Sequence, residues 1–254
     1  MNGFAFGVVL LCGGLIGLAA GFARRARAGA IRSLPCVYIS DLKPGGRQFI
    51  TGKARSPVQI TSPVSKQNCV FYYEVTEEYR HQHSSSHRSA GRGSWDRVSD
   101  NFYGAFFVDD PTGAALVLPN YGALDLAKPD VTFDDSPDRR RIERVILQGE
   151  TVSALGVPRQ IGELVRFLRH SGANLHPDLL AEIMRMERDP AFSGLPCFFG
   201  DGLERLADQT WEEYAASTGE SAAFLLQAGG AAALAGAALL LYELKKTLPA
   251  SSAD

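Results

Sequence analysis

The sequence predicts an α+β fold that is β-rich at its centre: a small antiparallel barrel- or sandwich-like domain with a helical segment, flanked by two transmembrane helices. Three observations predict it. Uncharged apolar runs stand near both ends, a long apolar/polar alternation with hairpin signals fills the interior, and a helical periodicity follows. The chain divides accordingly into a span over 4–23, a β-rich domain over 32–157, a helical segment over 158–216, a second span over 222–242 and a short tail over 243–254.

Phe4 to Ala23 reads FAFGVVLLCGGLIGLAAGFA, without a charge or a proline. As a helix of about twenty residues it covers roughly 30 Å, the thickness of a bilayer's hydrocarbon core. A cleaved signal peptide is the competing reading. It wants a basic residue before the apolar run, and Arg24, Arg25 and Arg27 separate the run from the A-x-A-like site at Ala28 to Ala30. The second span, Ala222 to Tyr242, is again uncharged but richer in alanine and glycine, and a buried soluble helix competes with it. Small residues recur every fourth position, Gly13, Gly17 and Gly21 in the first span and Ala228, Ala232 and Gly236 in the second. They form candidate ridges for close helix packing, although Ala/Gly-rich composition alone also produces them.

Inside the domain, Pro44-Gly45-Gly46 signals a turn and Arg47 to Lys53 a strand. The central strand lies in Thr61 to Arg80. Cys69, Phe71, Tyr73, Val75 and Tyr79 occupy its inward face and Tyr72, Glu74, Thr76, Glu78 and Arg80 its wet one. A Ser/Gly-rich loop follows, in which His81, His83 and His87 are metal-ligand candidates beside the plainer reading of a solvated hairpin loop. Trp95 to Val98 reads as strand. Gly104 to Pro119 reads as a hairpin, with Pro111 and Gly113 in the turn and Asp109 or Asp110 bonded to turn amides rather than serving as acid and base. Ile142 to Leu147 and Thr151 to Val157, joined by Gln148-Gly149-Glu150, predict a second hairpin. His176-Pro177-Asp178 opens a helix that Asp189-Pro190 stops, and a further helix is expected from Gly202 to about Ala216, leading into the second span.

Composition narrows the function. A net charge of -2 and the absence of an aromatic-interleaved basic stripe argue against nucleic acid. Cys12, Cys36, Cys69 and Cys197 are scattered without C-x-x-C spacing, which excludes a zinc ribbon or RING cross-brace. Cys12, in an apolar helix, and Cys69, on the inward face of the central strand, are expected to be buried, inert thiols, and a Cys69–Cys197 disulfide is open only if the domain faces an oxidising compartment. No catalytic, cofactor-binding or metal-binding residue is assigned, and no cofactor is expected.

Several stretches together resemble a known family. They are Ser62-Pro63 through Cys69-Val70-Phe71-Tyr72-Tyr73, then Trp95, Phe107-Val108-Asp109 with Thr112-Gly113, Val117-Leu118-Pro119, and Glu143 to Gly156. In this order they are similar to the GIDE-type membrane proteins named for a mitochondrial ubiquitin ligase, whose middle "beside a membrane" (BAM) domain lies between two spans. The resemblance implies a β-rich BAM-like domain anchored at the bilayer. In the ligase a RING follows the second span, whereas Glu243 to Asp254 here hold no cysteine or histidine, so ligase chemistry does not carry over.

The resulting expectation is a membrane-anchored, non-catalytic interaction or sensor module with a protein partner. The alternatives are an oligomeric scaffold or pore-type subunit packed through its glycine ridges, a ubiquitin-ligase-like family member by descent, and a membrane hydrolase. Recognition is expected on the polar stretches Arg80 to Ser94 and Lys128 to Arg140. Arg24, Arg25, Arg27 and Arg32 place the domain on the cytoplasmic side of the cell (inner) membrane by the positive-inside rule, and the family analogy implies the opposite side.

Overall fold

The computed structural model describes residues 3–80, 93–127, 131–171 and 175–247. The elements begin with α1 (Gly3–Arg32), β1 (Gln48–Arg55), β2 (Ile60–Thr61), β3 (Asn68–Cys69), β4 (Phe71–Arg80) and β5 (Ser94–Tyr103). They continue through β6 (Phe106–Asp110), β7 (Gly113–Val117), β8 (Val131–Ser136), β9 (Arg139–Ile146), β10 (Thr151–Gly156) and β11 (Arg159–Gln160). Then come α2 (Ile161–Ser171), α3 (Pro177–Arg188), β12 (Pro196–Phe198), β13 (Leu203–Ala207) and α4 (Trp211–Thr247). The chain divides into two units, one holding the two end helices and the other Pro35–Trp211.

In the first unit α1 and α4 are each long and apolar enough to cross a membrane, and only 11% of each apolar window is buried. The core helix of a soluble protein would be mostly covered, whereas here Phe4, Ile16, Phe22, Phe224, Leu234 and Leu241 are exposed. The two helices meet along small residues spaced by seven. Gly7, Gly14, Gly21 and Ala28 are buried on α1, and Ala215, Ala222, Gly229 and Gly236 on α4. An added Cβ at Gly14 would stand 2.7 Å from Ala233 Cα, and one at Gly236 2.8 Å from the Gly7 carbonyl oxygen. The expected four-residue ridge is met only in part: Gly17, Gly21 and Gly236 belong to the contact, but a Cβ at Gly13 meets nothing within 4 Å and Ala228 is exposed. A repeat of seven closes almost on two helical turns, so helices lying nearly along one another meet on such a stripe.

The second unit is layered. Its large sheet runs β11-β12-β7-β6-β1-β10-β13 and a four-stranded sheet runs β5-β4-β9-β8, with β2 and β3 forming a small ribbon. Among the described residues neither sheet closes into a barrel. Ladders are antiparallel except β12 with β7. One core lies between the sheets, where Phe71, Tyr73 and Ile146 of the smaller meet Ile50, Phe106, Val108, Val117 and Phe198 of the larger. A second core lies on the opposite face, where Phe107, Leu116 and Cys197 meet Leu164, Val165, Leu179 and Ile183 of α2 and α3. Burial on both faces explains why β6, β7 and β10 each carry consecutive buried residues rather than an alternation.

The central strand keeps the expected face over its first turn of pleat, with Phe71 and Tyr73 buried and Tyr72 half-buried. Thr76, expected on the wet face, is buried, and the ladder with β5 shifts register between Thr76 and Glu77. The β6–β7 hairpin forms as expected. So does α3: its His176 side chain accepts a hydrogen bond from the Asp178 N–H, Pro177 stands in the first turn, and Asp189 ends the helix.

Four expectations are corrected. Strands β9 and β10 do not pair with each other: β9 joins β4 over eight register pairs, while β10 inserts beside β1. The connection is pinned to β1 instead, Gly149 N–H donating to Ala54 O at 2.7 Å and Ala54 N–H to Glu150 O at 2.8 Å. The helix expected from Gly202 begins only at Trp211, because Leu203 and Leu206 are drawn into the first core by β13 pairing with β10. The segment over 158–216 is accordingly not wholly helical, since β11, β12 and β13 all complete the large sheet. Finally, residues 131–136 and 139–140 of the expected recognition loop are strand, where β8 pairs with β9.

Candidate docking cleft

A cleft of 810 Å³ opens beside the β6–β7 turn. One wall is Thr112, Gly113 and Ala114, a second is Phe192, Gly194, Leu195 and Pro196, and Ile39, Leu42, Val157 and Arg159 also line it. Such a volume lies in the range of ligand-binding concavities, about 300–1,000 Å³. Its lining is mostly apolar side chain, glycine and proline, with Ser40, Thr112 and Gln160 as uncharged polar residues and two charged groups that are both engaged. Arg159 Nη2 reaches Asp201 Oδ1 at 2.6 Å, and Glu163 Oε1 accepts from the Gln160 N–H at 3.4 Å at the start of α2.

The turn that forms one wall is held by Asp110. Its Oδ1 accepts from the N–H groups of Thr112 at 2.7 Å and Gly113 at 3.0 Å, and its Oδ2 from the Ile39 N–H at 2.7 Å. Burial favours the neutral acid, but these bonds and one from the Thr112 hydroxyl outweigh it and hold the carboxyl below its ordinary value. Asp109, the next residue along the strand, points to the opposite face and pairs with Arg55. The two aspartates thus act separately, one as a turn cap and one in an ion pair.

The remaining sequence candidates are dispersed. His81, His83 and His87, with most of the Arg80 to Ser94 loop, lie outside the described residues, as does the start of the Lys128 stretch. Among the described residues no group of three or more His, Cys, Asp or Glu converges as a metal site. All four cysteines are free, so Cys69 and Cys197 form no disulfide; Cys12, expected to be buried, is exposed on α1, whereas burial pushes the Cys69 and Cys197 thiols up to about 12. They are protonated at neutral pH and poor nucleophiles.

The outer half of the four-stranded sheet is a surface of paired charges and rings. Arg140 lies 4.3 Å over the Trp95 ring and pairs with Glu77 at 2.7 Å, while Arg97 lies 4.3 Å over Tyr121 and pairs with Asp100. Burial pushes the neighbouring Tyr73 phenol up to about 12 despite the nearby Arg97 charge, which opposes the rise. Each of these two cations thus has an anionic partner within the protein.

Sequence reasoning missed the cleft. Its one local signal was Pro196 ahead of the apolar run Cys197-Phe198-Phe199, a proline at the first position of a short strand. Compared with family models, curated proteins and solved structures, the chain finds no match.

Proposed function

We propose that this chain is a membrane-anchored, non-catalytic interaction module of the GIDE/BAM type. The observation that carries the reading is the largely apolar cleft on a β-rich unit whose two ends continue into helices long and apolar enough to span a bilayer. Anchoring raises the effective concentration of membrane partners, so a modest surface site suffices. The exposed apolar side chains of α1 and α4 support insertion into lipid, where they lose contact with water. The glycine heptads pack α1 on α4 within one chain, so a scaffold or pore-type assembly would have to use other faces of these helices.

The positive-inside rule favours the cytoplasmic side for the 35–211 unit, because Arg24, Arg25, Arg27 and Arg32 adjoin it. Alkaline carbonate extraction of membranes tests insertion: the chain stays in the pellet, and its release to the supernatant would overturn the reading. A cysteine at exposed Ser99 in a Cys36→Ser background reports the side. It is expected to resist an impermeant maleimide in intact cells and to react after lysis. A membrane protein photo-crosslinked from exposed Ser193, beside the cleft, but not from Gly149 in a distant turn, is the expected partner signature.

A further inference from the structure

The hydrogen-bond ladder determines which main-chain atoms face the cleft. Ala54 directs its N–H and C=O to the Gly149-Glu150 turn, so its neighbours Lys53 and Arg55 direct theirs to β6. Carried through the pairs Lys53↔Asp109 and Val108↔Ala115, this alternation turns Ala115 toward β6 and turns Ala114 and Leu116 toward the opposite edge. Leu116 meets β12 there, in parallel register with Cys197, and the ladder continues as Leu118 N–H donates to Phe198 O at 2.9 Å. Ala114 stands one step earlier. A parallel neighbour would offer it an amide N–H from position 196 and a carbonyl from position 194.

Position 196 is Pro196, which has no N–H to give. Just before it the chain has left the strand line, Leu195 N–H donating back to Phe192 O at 2.9 Å. The Ala114 N–H and C=O therefore open into the cleft with no partner among the described residues. They lie in line with β12, where the sheet stops one strand short.

We propose that the cleft receives an extended, uncharged polypeptide segment of a partner, which adds to β7 at Ala114 in the line of β12. This rests on the interaction-module reading above and names its mode of recognition. A donor and an acceptor on one strand residue are matched by a residue of extended main chain, which presents both at strand spacing. Ile39, Leu42, Phe192 and Leu195 line the room beside that edge and suit apolar side chains, while Arg159 is already committed to Asp201. Strand edges left open in this way recruit strands.

The test uses the full chain in detergent micelles. It is titrated with a terminally blocked hexapeptide of alternating threonine and valine, with the same peptide N-methylated along its backbone, and with a blocked alanine-rich helical peptide. The extended peptide is expected to bind saturably and to slow hydrogen exchange at the Ala114 amide. N-methylation is expected to weaken binding at least 10-fold. Gly194→Trp fills the cleft from a position where an added Cβ meets nothing within 4 Å, so it is expected to melt like the parent and bind at least 10-fold more weakly. Ala114→Pro removes the N–H itself, and the peptide comparison needs no variant.

No saturable binding, equal affinity for the N-methylated peptide, preference for the helical peptide, or Ala114 protection that rises with chain concentration alone would each overturn strand addition. Crosslinked membrane partners retained by Gly194→Trp would leave the module reading standing and remove the cleft from it. Loss of all such partners from the parent chain would remove the module reading itself.

Discussion

Glu143 Oε2 accepts a hydrogen bond from the Ser65 N–H at 2.9 Å with the Glu143 residue 1% exposed. The other oxygen accepts from the Val64 N–H at 2.8 Å, and the Ser65 hydroxyl donates to Oε2 as well. A carboxylate on β9 thus takes the place of backbone partners for the loop between β2 and β3. Removing it leaves two inward-facing amides without an acceptor. We expect Glu143→Ala to destabilise the 35–211 unit by about 3 kcal/mol, the cost of breaking a buried charged hydrogen-bond group. Urea unfolding of the full chain, followed by tryptophan fluorescence, measures it; a loss below about 1 kcal/mol would show that the loop is held elsewhere.

Asp110 gives a pH-dependent counterpart. Its folded pKa lies below the ordinary value of 3.8, so its contribution to stability is whole above that value and is lost as pH falls through the folded pKa. We expect Asp110→Asn to cost about 1–2 kcal/mol at neutral pH. The gap between variant and parent should then narrow as the pH is lowered below 3.8. Urea midpoints at pH 6 and at pH 3 check it, and a gap independent of pH would assign the loss to side-chain shape rather than charge.

On β4, Phe71 is fully buried, while Tyr72 is half-buried with its ring 5.7 Å from that of Tyr103. Phe71→Ala is expected to cost about 3–5 kcal/mol, as aromatic truncation in a core does. Tyr72→Ala should cost about 1 kcal/mol, mostly the lost ring pair. Equal losses measured by thermal melting would mean that both faces of β4 are equally buried.

The seven-residue stripe makes a sharp distinction between adjacent glycines. Gly14→Leu forces a side chain into the Ala233 backbone, and Gly13→Leu projects into open space. We expect the first to destabilise the α1–α4 pair by about 1–3 kcal/mol and the second to be nearly neutral. The melting temperature of the chain in detergent reports both. The opposite order would restore the four-residue ridge.

How much of this was legible in the sequence depends on the range over which each feature is determined. The two apolar helices, the Pro111 hairpin, the caps of α3 and the inward set Phe71 and Tyr73 were readable because period, punctuation and charge act within a few residues of chain. Tertiary structure chose the partners. Gln148-Gly149-Glu150 carries a hairpin's signal, yet β9 and β10 enter different sheets, β9 pairing with β4 over eight residues while β10 is taken up between β1 and β13. Leu203 to Ala207 becomes a strand because the first core and the edge of β10 both receive it. The cleft arises from the same long-range choice. Pro196 alone predicts only a missing N–H, and it opens a site because the parallel pairing of β12 sets that missing donor opposite Ala114.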